Sequence, residues 1–357
     1  MVETATRLRV VDCAGSPREI GLAHGEACRD LIAEGLGRWG AAIEARTGED
    51  ADAYLRRFLQ GAGFLAMAER HAPGPAGELP AVAEGANQPF ERILAYNLMD
   101  EEWTFSREDA GLRAAGPAPG CTAIALGARV IAQTMDIPNV HDGTQVALRI
   151  RPADGPDQIV FSAAGMIGLN GANAGGVGVV VNSLAQLPSS RDGLPVSLVV
   201  RGILGRPTAA EAAAFVESAP HAIGQHYLIG DGTETVSLEA AANGVHRVPV
   251  GERYVHANHP LVNLEREPDA DAMERRSNTH ARHSRAEELT KHGVDDADAA
   301  DVEEALGDRE APISLDRSRA SMTFGGTSIA WGSDGVPTVR IAPGPPHEVA
   351  WQTVGWT

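Results

Sequence analysis

The sequence predicts a layered α+β protein built on large antiparallel sheets, and three observations support this class. Helical periodicity dominates the first third of the chain, strand-like segments follow, and two later groups of helices separate further strands. The 40 glycines and 4% aromatic residues are typical of a fold with many tight turns rather than of a helical bundle. With 357 residues, 43% of them hydrophobic, the chain can form one large domain or two ordinary ones.

The N-terminal third begins with an edge strand and continues as helices. Ser16 precedes Pro17 and is followed by Glu19, which is a typical start of a helix. A segment rich in proline and glycine predicts a later helix break. The predicted segments are a strand at 7–13, helices at 18–40, 50–72, 79–86 and 89–102, and a break at 73–77.

The rest of the chain is predicted to consist mainly of strands. A glycine-rich turn at 168–176 precedes a buried strand, but it lacks both GxGxxG and GxxxxGK[ST], so we reject a phosphate loop there. The predicted strands lie at 121–126, 130–136, 145–150, 158–161, 177–181, 227–230, 235–239, 253–260, 322–324 and 338–342, and the predicted helices at 209–218, 278–292 and 299–307.

Charge and composition exclude several classes of function. The net charge of −18 gives nucleic acid and anionic membranes no basic surface to bind. No apolar run approaches the roughly 20 residues that cross a bilayer, and residues 1–4 lack the pattern of a signal peptide. The three cysteines, Cys13, Cys28 and Cys121, fit neither a disulfide framework nor a CxxC metal site. We therefore expect a cytoplasmic protein with free thiols.

Cys121 lies where a loop of Ala, Gly and Pro residues (114–120) enters an apolar strand. A second strand ends at Asp136, and a hairpin turn at 127–128 would bring this carboxylate back beside Cys121. A cysteine in this position can act as a nucleophile. It can also be a small core residue, which is the commoner role of buried cysteines, and the local pattern does not decide between the two.

Short motifs along nearly the whole chain resemble the acyl-coenzyme A:6-aminopenicillanic acid acyltransferase family, also called the isopenicillin N acyltransferase-like cysteine peptidases. This family is part of the N-terminal nucleophile (Ntn) hydrolase superfamily. The segments that carry the resemblance are 15–25 (GSPREIGLAHG), 83–85 with 95–97 and Glu101, 120–122 (GCT), 133–136, 171–184, 201–204, Asp231 with Glu239, 256–259 and 318–321.

The resemblance implies an αββα sandwich of two antiparallel sheets between helical layers, preceded by a helical N-terminal segment. It implies that the Gly120–Cys121 bond is cut by the chain itself. Residues 1–120 and 121–357 would then be two fragments of one compact catalytic unit. No cofactor and no metal are implied.

The resemblance also implies roles for individual residues. Cys121 would be the nucleophile, and its freed amino group would act as the base. Asp136 would hold that amine, while Arg319 would lower the pKa of the thiol. Asn258, helped by Asn182, would donate to the oxyanion. Structural alternatives stay open: Asp136 can cap a turn, Arg319 can pair with Asp316, and Asn182 can satisfy buried backbone.

The expected reaction is attack on a small amide or a thioester, with the acyl group passed from Cys121 to water or an amine. The expected partners are an acyl amide substrate, an acyl thioester donor, the two fragments of the precursor and further copies of the chain. Two other functions remain alternatives: a metal-dependent hydrolase that uses His280, His283 and His292, and a non-catalytic binding protein.

Overall fold

Two β-sheets pack face to face, and helices pack against each of them. The computed structural model describes residues 7–109, 120–291 and 298–357. The helices at 196–204 and 209–218 pack on one sheet, and those at 279–289 and 299–306 on the other. The helix–sheet–sheet–helix order is therefore confirmed, together with the helical N-terminal segment.

The described residues form twelve α-helices and fourteen β-strands. The helices are α1 (Pro17–Ala27), α2 (Arg29–Thr47), α3 (Ala51–Leu59), α4 (Phe64–His71), α5 (Pro73–Ala86), α6 (Phe90–Tyr96), α7 (Met99–Asp109), α8 (Val196–Leu204), α9 (Ala209–Ser218), α10 (Ala270–Arg276), α11 (Thr279–Leu289) and α12 (Ala299–Leu306). The strands are β1 (Arg9–Gly15), β2 (Cys121–Leu126), β3 (Val130–Pro138), β4 (Gln145–Pro152), β5 (Gln158–Ala163), β6 (Asn170–Asn173), β7 (Gly178–Ser183), β8 (Gln225–Gly230), β9 (Thr235–Ala241), β10 (Gly244–Val248), β11 (Arg253–His256), β12 (Ser321–Trp331), β13 (Pro337–Ala342) and β14 (Gln352–Val354).

The sheets are antiparallel except at one edge. The first has eight strands in the order β1-β4-β5-β6-β7-β8-β9-β10, and the second has six in the order β11-β2-β3-β12-β13-β14. Strand β1 lies at the edge, as predicted, but it runs parallel to β4. A parallel pair needs a long connection, and here the N-terminal helices and the β2–β3 hairpin lie between the two strands.

The N-terminal helices begin as predicted but are divided differently. The Ser16 side chain accepts from the Glu19 N–H and forms a capping box with it. The helix predicted over 18–40 is two helices, α1 and α2, that meet at Cys28. The break predicted at 73–77 is wrong, because α5 starts at Pro73. A proline in the first helical turn loses no hydrogen bond there, since that N–H has no acceptor within the helix.

The segment expected as a glycine-rich turn contains β6. Gly171 pairs with Val160 in this strand, and a Cβ at Gly171 would lie 2.3 Å from the carbonyl oxygen of Ile159. The glycine is explained by this close approach of two backbones, which a sequence pattern does not distinguish from a turn.

The β2–β3 hairpin is confirmed and lies within the six-stranded sheet, between β11 and β12. Its turn includes Gly127 at a φ of 50°, and Cys121 pairs with Met135, so Asp136 is one residue from the partner of Cys121. Every residue of β2 is buried. The main core is continuous from the N-terminal helices into both sheets, with Ile32, Phe161 and Phe324 among its fully buried members. None of the described helices is long and apolar enough to cross a bilayer.

Candidate active site

The backbone of Cys121 is held by two residues from distant parts of the chain. Its N–H donates to Oδ1 of Asn258 at 2.6 Å, and its carbonyl oxygen accepts from Nη1 of Arg282 at 2.5 Å. Asn258 follows the edge strand β11, and Arg282 projects from α11. The first residue of β2 is therefore fixed on both sides before any substrate is present.

Arg282 is the residue of this site that the sequence analysis missed. Its side chain is 1% exposed, although α11 is polar. The guanidinium donates to four oxygens: those of Cys121, Thr122, Asn258 and Asn278. The buried positions Thr279, Arg282 and Ala286 share one helix face by their spacing. This face, with Ala286 as its apolar member, is the only sequence signal that could have identified Arg282.

The same helix fixes Asn258. Arg282 Nη2 donates to Asn258 Oδ1 at 2.9 Å, and Thr279 Oγ1 accepts from the Asn258 backbone N–H at 2.8 Å. Because Oδ1 accepts from both Arg282 and Cys121, Nδ2 must point the other way, where it donates to the Ser183 carbonyl at 2.9 Å. An amide nitrogen carries two hydrogens, so one hydrogen of Nδ2 is left without an acceptor among the described residues.

Asp136 is buried beside Cys121, and only one of its two carboxylate oxygens has a hydrogen-bond partner among the described residues. Its side chain is 1% exposed, and Oδ1 accepts from Thr323 Oγ1 at 2.5 Å. Oδ2 has no hydrogen-bond partner among the described residues. Burial raises the pKa of this carboxyl to about 7, against the opposing effects of Arg282, Thr323 and Arg319. It is therefore an acceptor that can take one more donor.

The thiol of Cys121 is neutral in this environment. Burial raises its pKa to about 12, and the nearby Asp136 carboxylate adds to this effect. The Asp136 backbone N–H and the Arg282 charge act in the opposite direction. A nucleophilic thiolate at neutral pH would therefore need a proton acceptor close to the sulfur.

The other two predicted residues, Arg319 and Asn182, form no hydrogen bond with Cys121 in the described part of the chain. Arg319 is exposed; its charge lowers the pKa of Asp136, but less than Arg282 does. The Asn182 amide bonds instead to the His256 carbonyl and to His226 Nδ1, both at 3.2 Å. Side chains alternate along a strand, and Val181 and Ser183 face the cavity described next, so Asn182 faces away from it. Asn182 therefore holds the backbone two residues before Asn258, at His256, and does not face a ligand in the cavity.

A cavity of about 220 Å³ opens in front of Cys121. Helices α2 and α7 form one wall, and β3 with the turn after it forms another. Most of the lining is apolar, and its members include Trp39, Ile43, Met135, Ile137, Leu169 and Val181. Asp136 also borders the cavity, whereas Asn258, Arg282 and Arg319 are not part of its lining. The thiol thus faces a space that suits an apolar group.

The histidines proposed as metal ligands do not form a site in the described part of the chain. His280 bonds to Glu274 at 2.5 Å, His283 pairs with Glu287, and His292 lies outside the described residues. The one cluster with ligand spacing found there is Asp316, His347 and Glu348. Its two carboxylates already pair with Arg309 and Arg317, and it is not part of the cavity lining.

The raised pKa of Asp136 predicts a pH-dependent stability. Because the folded state holds this proton more tightly than the unfolded state, the stabilisation is complete below pH 4 and is lost as the pH rises through about 7. We expect Asp136→Asn, in a Cys121→Ala chain that stays uncleaved, to raise the Tm at pH 8 by a few degrees. The gain should shrink towards pH 4.

Thermal melts of the two chains between pH 4 and pH 8 measure this difference. Asp30→Asn removes an exposed carboxylate of α2 and serves as the charge-matched control. A Tm difference that is the same at every pH would show that Asp136 is ionised throughout, against the prediction.

Comparisons with known proteins identify one family. Residues 127–330 match the family model described as acyl-coenzyme A:6-aminopenicillanic acid acyl-transferase. The match includes Asp136, Asn258 and Arg319 and begins after Cys121. The chain is 26% identical over 285 residues to the 40 kDa form of acyl-coenzyme A:6-aminopenicillanic-acid-acyltransferase from Emericella nidulans, covering 78% of this chain and 76% of that protein.

Two solved structures are similar at low identity. A mutant of conjugated bile acid hydrolase from Clostridium perfringens has 10% identity and a TM-score of 0.39, covering 66% of this chain and 97% of that one. Penicillin V acylase from Agrobacterium tumefaciens has 13% identity and a TM-score of 0.31, covering 62% and 82%. Because the family model matches more than half of the chain, the protein belongs to the acyl-coenzyme A:6-aminopenicillanic acid acyltransferase family.

Proposed function

We propose that this protein is an Ntn-type cysteine acyltransferase and amidohydrolase that cuts itself before Cys121 and then transfers acyl groups through that residue. The observation that carries the proposal is the hydrogen bond from the Cys121 N–H to Asn258 Oδ1. Two features support it: Asp136 beside Cys121 has one carboxylate oxygen without a partner among the described residues, and Cys121 lines an apolar cavity. An ordinary core cysteine needs none of these arrangements.

Self-cleavage begins when the Cys121 thiol gives up its proton and its sulfur attacks the Gly120 carbonyl carbon. The peptide nitrogen takes a proton and leaves, which gives a thioester between Gly120 and the Cys121 sulfur. One water then hydrolyses the thioester and releases a carboxylate on Gly120 together with a free thiol and amine on Cys121. Arg282 and Asn258 hold the two ends of Cys121 throughout.

The new α-amino group supplies the missing base. Its unperturbed pKa is about 7.7–8.0, so a large share is neutral at working pH and can take the thiol proton directly or through one water. Asn258 Oδ1 already accepts from this nitrogen, and the open Oδ2 of Asp136 offers a second acceptor. The charge of Arg282 favours the neutral amine and the thiolate.

In the transfer reaction the sulfur attacks the carbonyl of an amide or thioester and the leaving group departs with a proton. The free hydrogen of Asn258 Nδ2 is the proposed oxyanion donor, a role typically worth about 3–4 kcal/mol of barrier. The acyl group on Cys121 then passes to water or to an amine.

We also propose that cleavage gives the fragments 1–120 and 121–357 and that the mature enzyme self-associates. A cytoplasmic location is a further proposal, which the free cysteines support.

Intact-mass measurement of the purified protein tests the proposal. Cleavage at 120/121 should convert the 37.4 kDa chain into fragments of about 12 and 25 kDa, the larger one beginning with Cys121. Incubation with a panel of acylated amines and acyl thioesters should add one acyl group to the larger fragment. An intact chain that acquires no adduct would favour a binding protein.

Gly120 is expected to be needed for fast cleavage because a larger residue has too little space there. A Cβ at this position would lie 2.8 Å from both Cζ and Nη2 of Arg282. We expect Gly120→Val to slow self-cleavage at least about tenfold by displacing Arg282 or the scissile carbonyl. Gly37→Ala is the control, since nothing lies within 4 Å of that Cβ. Time courses on gels after expression at low temperature measure the rate, and normal cleavage of Gly120→Val would contradict the prediction.

A further inference from the structure

The cavity in front of Cys121 contains two acceptors that the proposed reaction does not use. Asp100 lines it from the first turn of α7, and Gln225 lines it from the first residue of β8. Both lie in surroundings that are otherwise largely apolar. A polar group in such a place costs stability unless a partner satisfies it.

The Asp100 carboxylate has no hydrogen-bond or ion-pair partner in the described ranges of the chain. Arg46 lines the same cavity, but its guanidinium is bound by Glu102 at 2.6 Å, and Glu102 also accepts from Tyr54 at 2.6 Å. Burial alone raises the pKa of Asp100 to about 6. At neutral pH Asp100 is therefore mostly an anion without a countercharge among the described residues, whereas Glu102 beside it is paired with Arg46.

Gln225 provides a second acceptor near the same place. Its side chain is 1% exposed, and Oε1 has no partner among the residues that the structure describes. The charge of Asp100 contributes, after burial and Glu101, to the raised pKa of Tyr227. Asp100 and Gln225 both line the cavity, so a ligand that fills it can meet both acceptors.

Asp100 also lies within electrostatic range of the nucleophile. After burial and Asp136, its charge is among the smaller effects that raise the pKa of the Cys121 thiol. A group that pairs with Asp100 can therefore belong to the same small molecule that Cys121 attacks. Neutralising Asp100 would also remove a charge that opposes the thiolate.

We infer that the acyl group accepted by Cys121 is an apolar chain that carries a primary ammonium, which pairs with Asp100 and donates to Gln225. This inference rests on the proposed function and specifies its substrate class. The apolar walls fit the hydrocarbon part of the acyl group. An ammonium, with three donors and a positive charge, satisfies both Asp100 and Gln225. A carboxylate in the same position would be repelled by Asp100 and Asp136.

Matched pairs of p-nitroanilides test the inference. The 6-aminohexanoyl and 8-aminooctanoyl compounds are compared with their heptanoyl and nonanoyl isosteres, in which a methyl group replaces the ammonium. We expect kcat/KM of the wild-type enzyme to favour at least one amino compound over its isostere by about tenfold or more, as for a hydrogen-bonded charge. Asp100→Asn should lower this ratio by a similar factor.

The ratio is measured within each protein, so a smaller folded fraction cancels. Asp30→Asn makes the same charge change on the exposed side of α2 and should leave the ratio unaltered. Equal preference in the wild-type enzyme overturns the inference. So does a variant in which both compounds lose activity alike, since Asp100 would then assist the chemistry rather than select the substrate.

Failure of the proposed function gives a different result, because no compound is then turned over. In that case calorimetric titration of the Cys121→Ala protein with 6-aminohexanamide and heptanamide tests the cavity directly. Tighter binding of the amine that Asp100→Asn abolishes supports the ammonium site. Equal binding of the two amides, or no binding of either, overturns it.

Discussion

Cys121→Ala is expected to give an uncut chain with no acyl transfer. The substitution removes the only atom that can form the acyl-enzyme in the proposed reaction, and without cleavage the amine base never forms. Loss of a nucleophile commonly lowers kcat by about 10⁶, so activity should fall to background. The structural cost should be small, because alanine fits the space of a buried cysteine at the start of β2.

The measurement combines intact mass with hydrolysis rates on the amide panel. Cys28→Ala is the matched control, because Cys28 is also a buried free thiol whose pKa burial raises to about 11. It lies between α1 and α2 and should leave both cleavage and turnover in place. A Cys121→Ala chain that is cut and active, together with an inactive Cys28→Ala chain, would show that Cys121 is not the nucleophile.

Arg282→Lys is expected to have the second-largest effect. Lysine keeps a positive charge but cannot replace the planar set of donors that reaches Cys121, Thr122 and Asn258 together. Asn258 would lose the contact that fixes its amide. We expect self-cleavage and kcat to fall by about 10²–10³, the usual effect of losing one preorganised electrostatic contact.

A buried arginine also matters for folding, so the control is another buried arginine. Arg201 is 3% exposed and pairs with Glu78 through two hydrogen bonds of 2.6 and 2.7 Å, and it does not contact Cys121. Arg201→Lys should lower the Tm to a similar degree while its folded fraction keeps its cleavage rate. Equal losses of rate per folded molecule in both variants would reduce Arg282 to a structural role.

The local part of the site could be predicted from the sequence because it lies within one hairpin. Cys121 and Asp136 lie on two strands joined by a short turn, and the register of that hairpin brings them to adjacent positions. The fold class was predictable for a similar reason, since helix caps and strand patterns are local signals. The predicted break at 73–77 was wrong, because prolines are tolerated in the first turn of a helix such as α5.

The distant part of the site could not be predicted from local patterns. Asn258 entered only through the family resemblance, because nothing in its own segment indicates a partner 137 residues earlier. Arg282 lies on a charged helix that looks like solvated surface, and only the packing of α11 on β2 and β11 shows that it is buried. Asn182 was placed on the right strand, but the sequence did not show which face of β7 borders the cavity.

The edge strand β1 has a consequence for the proposed cleaved form of the protein. It belongs to the part of the chain before Cys121, yet it pairs along its whole length with β4, and α2 and α7 form a wall of the cavity. After the proposed cleavage this strand and this wall would be held without a covalent link to Cys121. Unfolding then lets two polypeptides diffuse apart, so refolding becomes a second-order reaction, and only the uncut precursor can recover at high dilution.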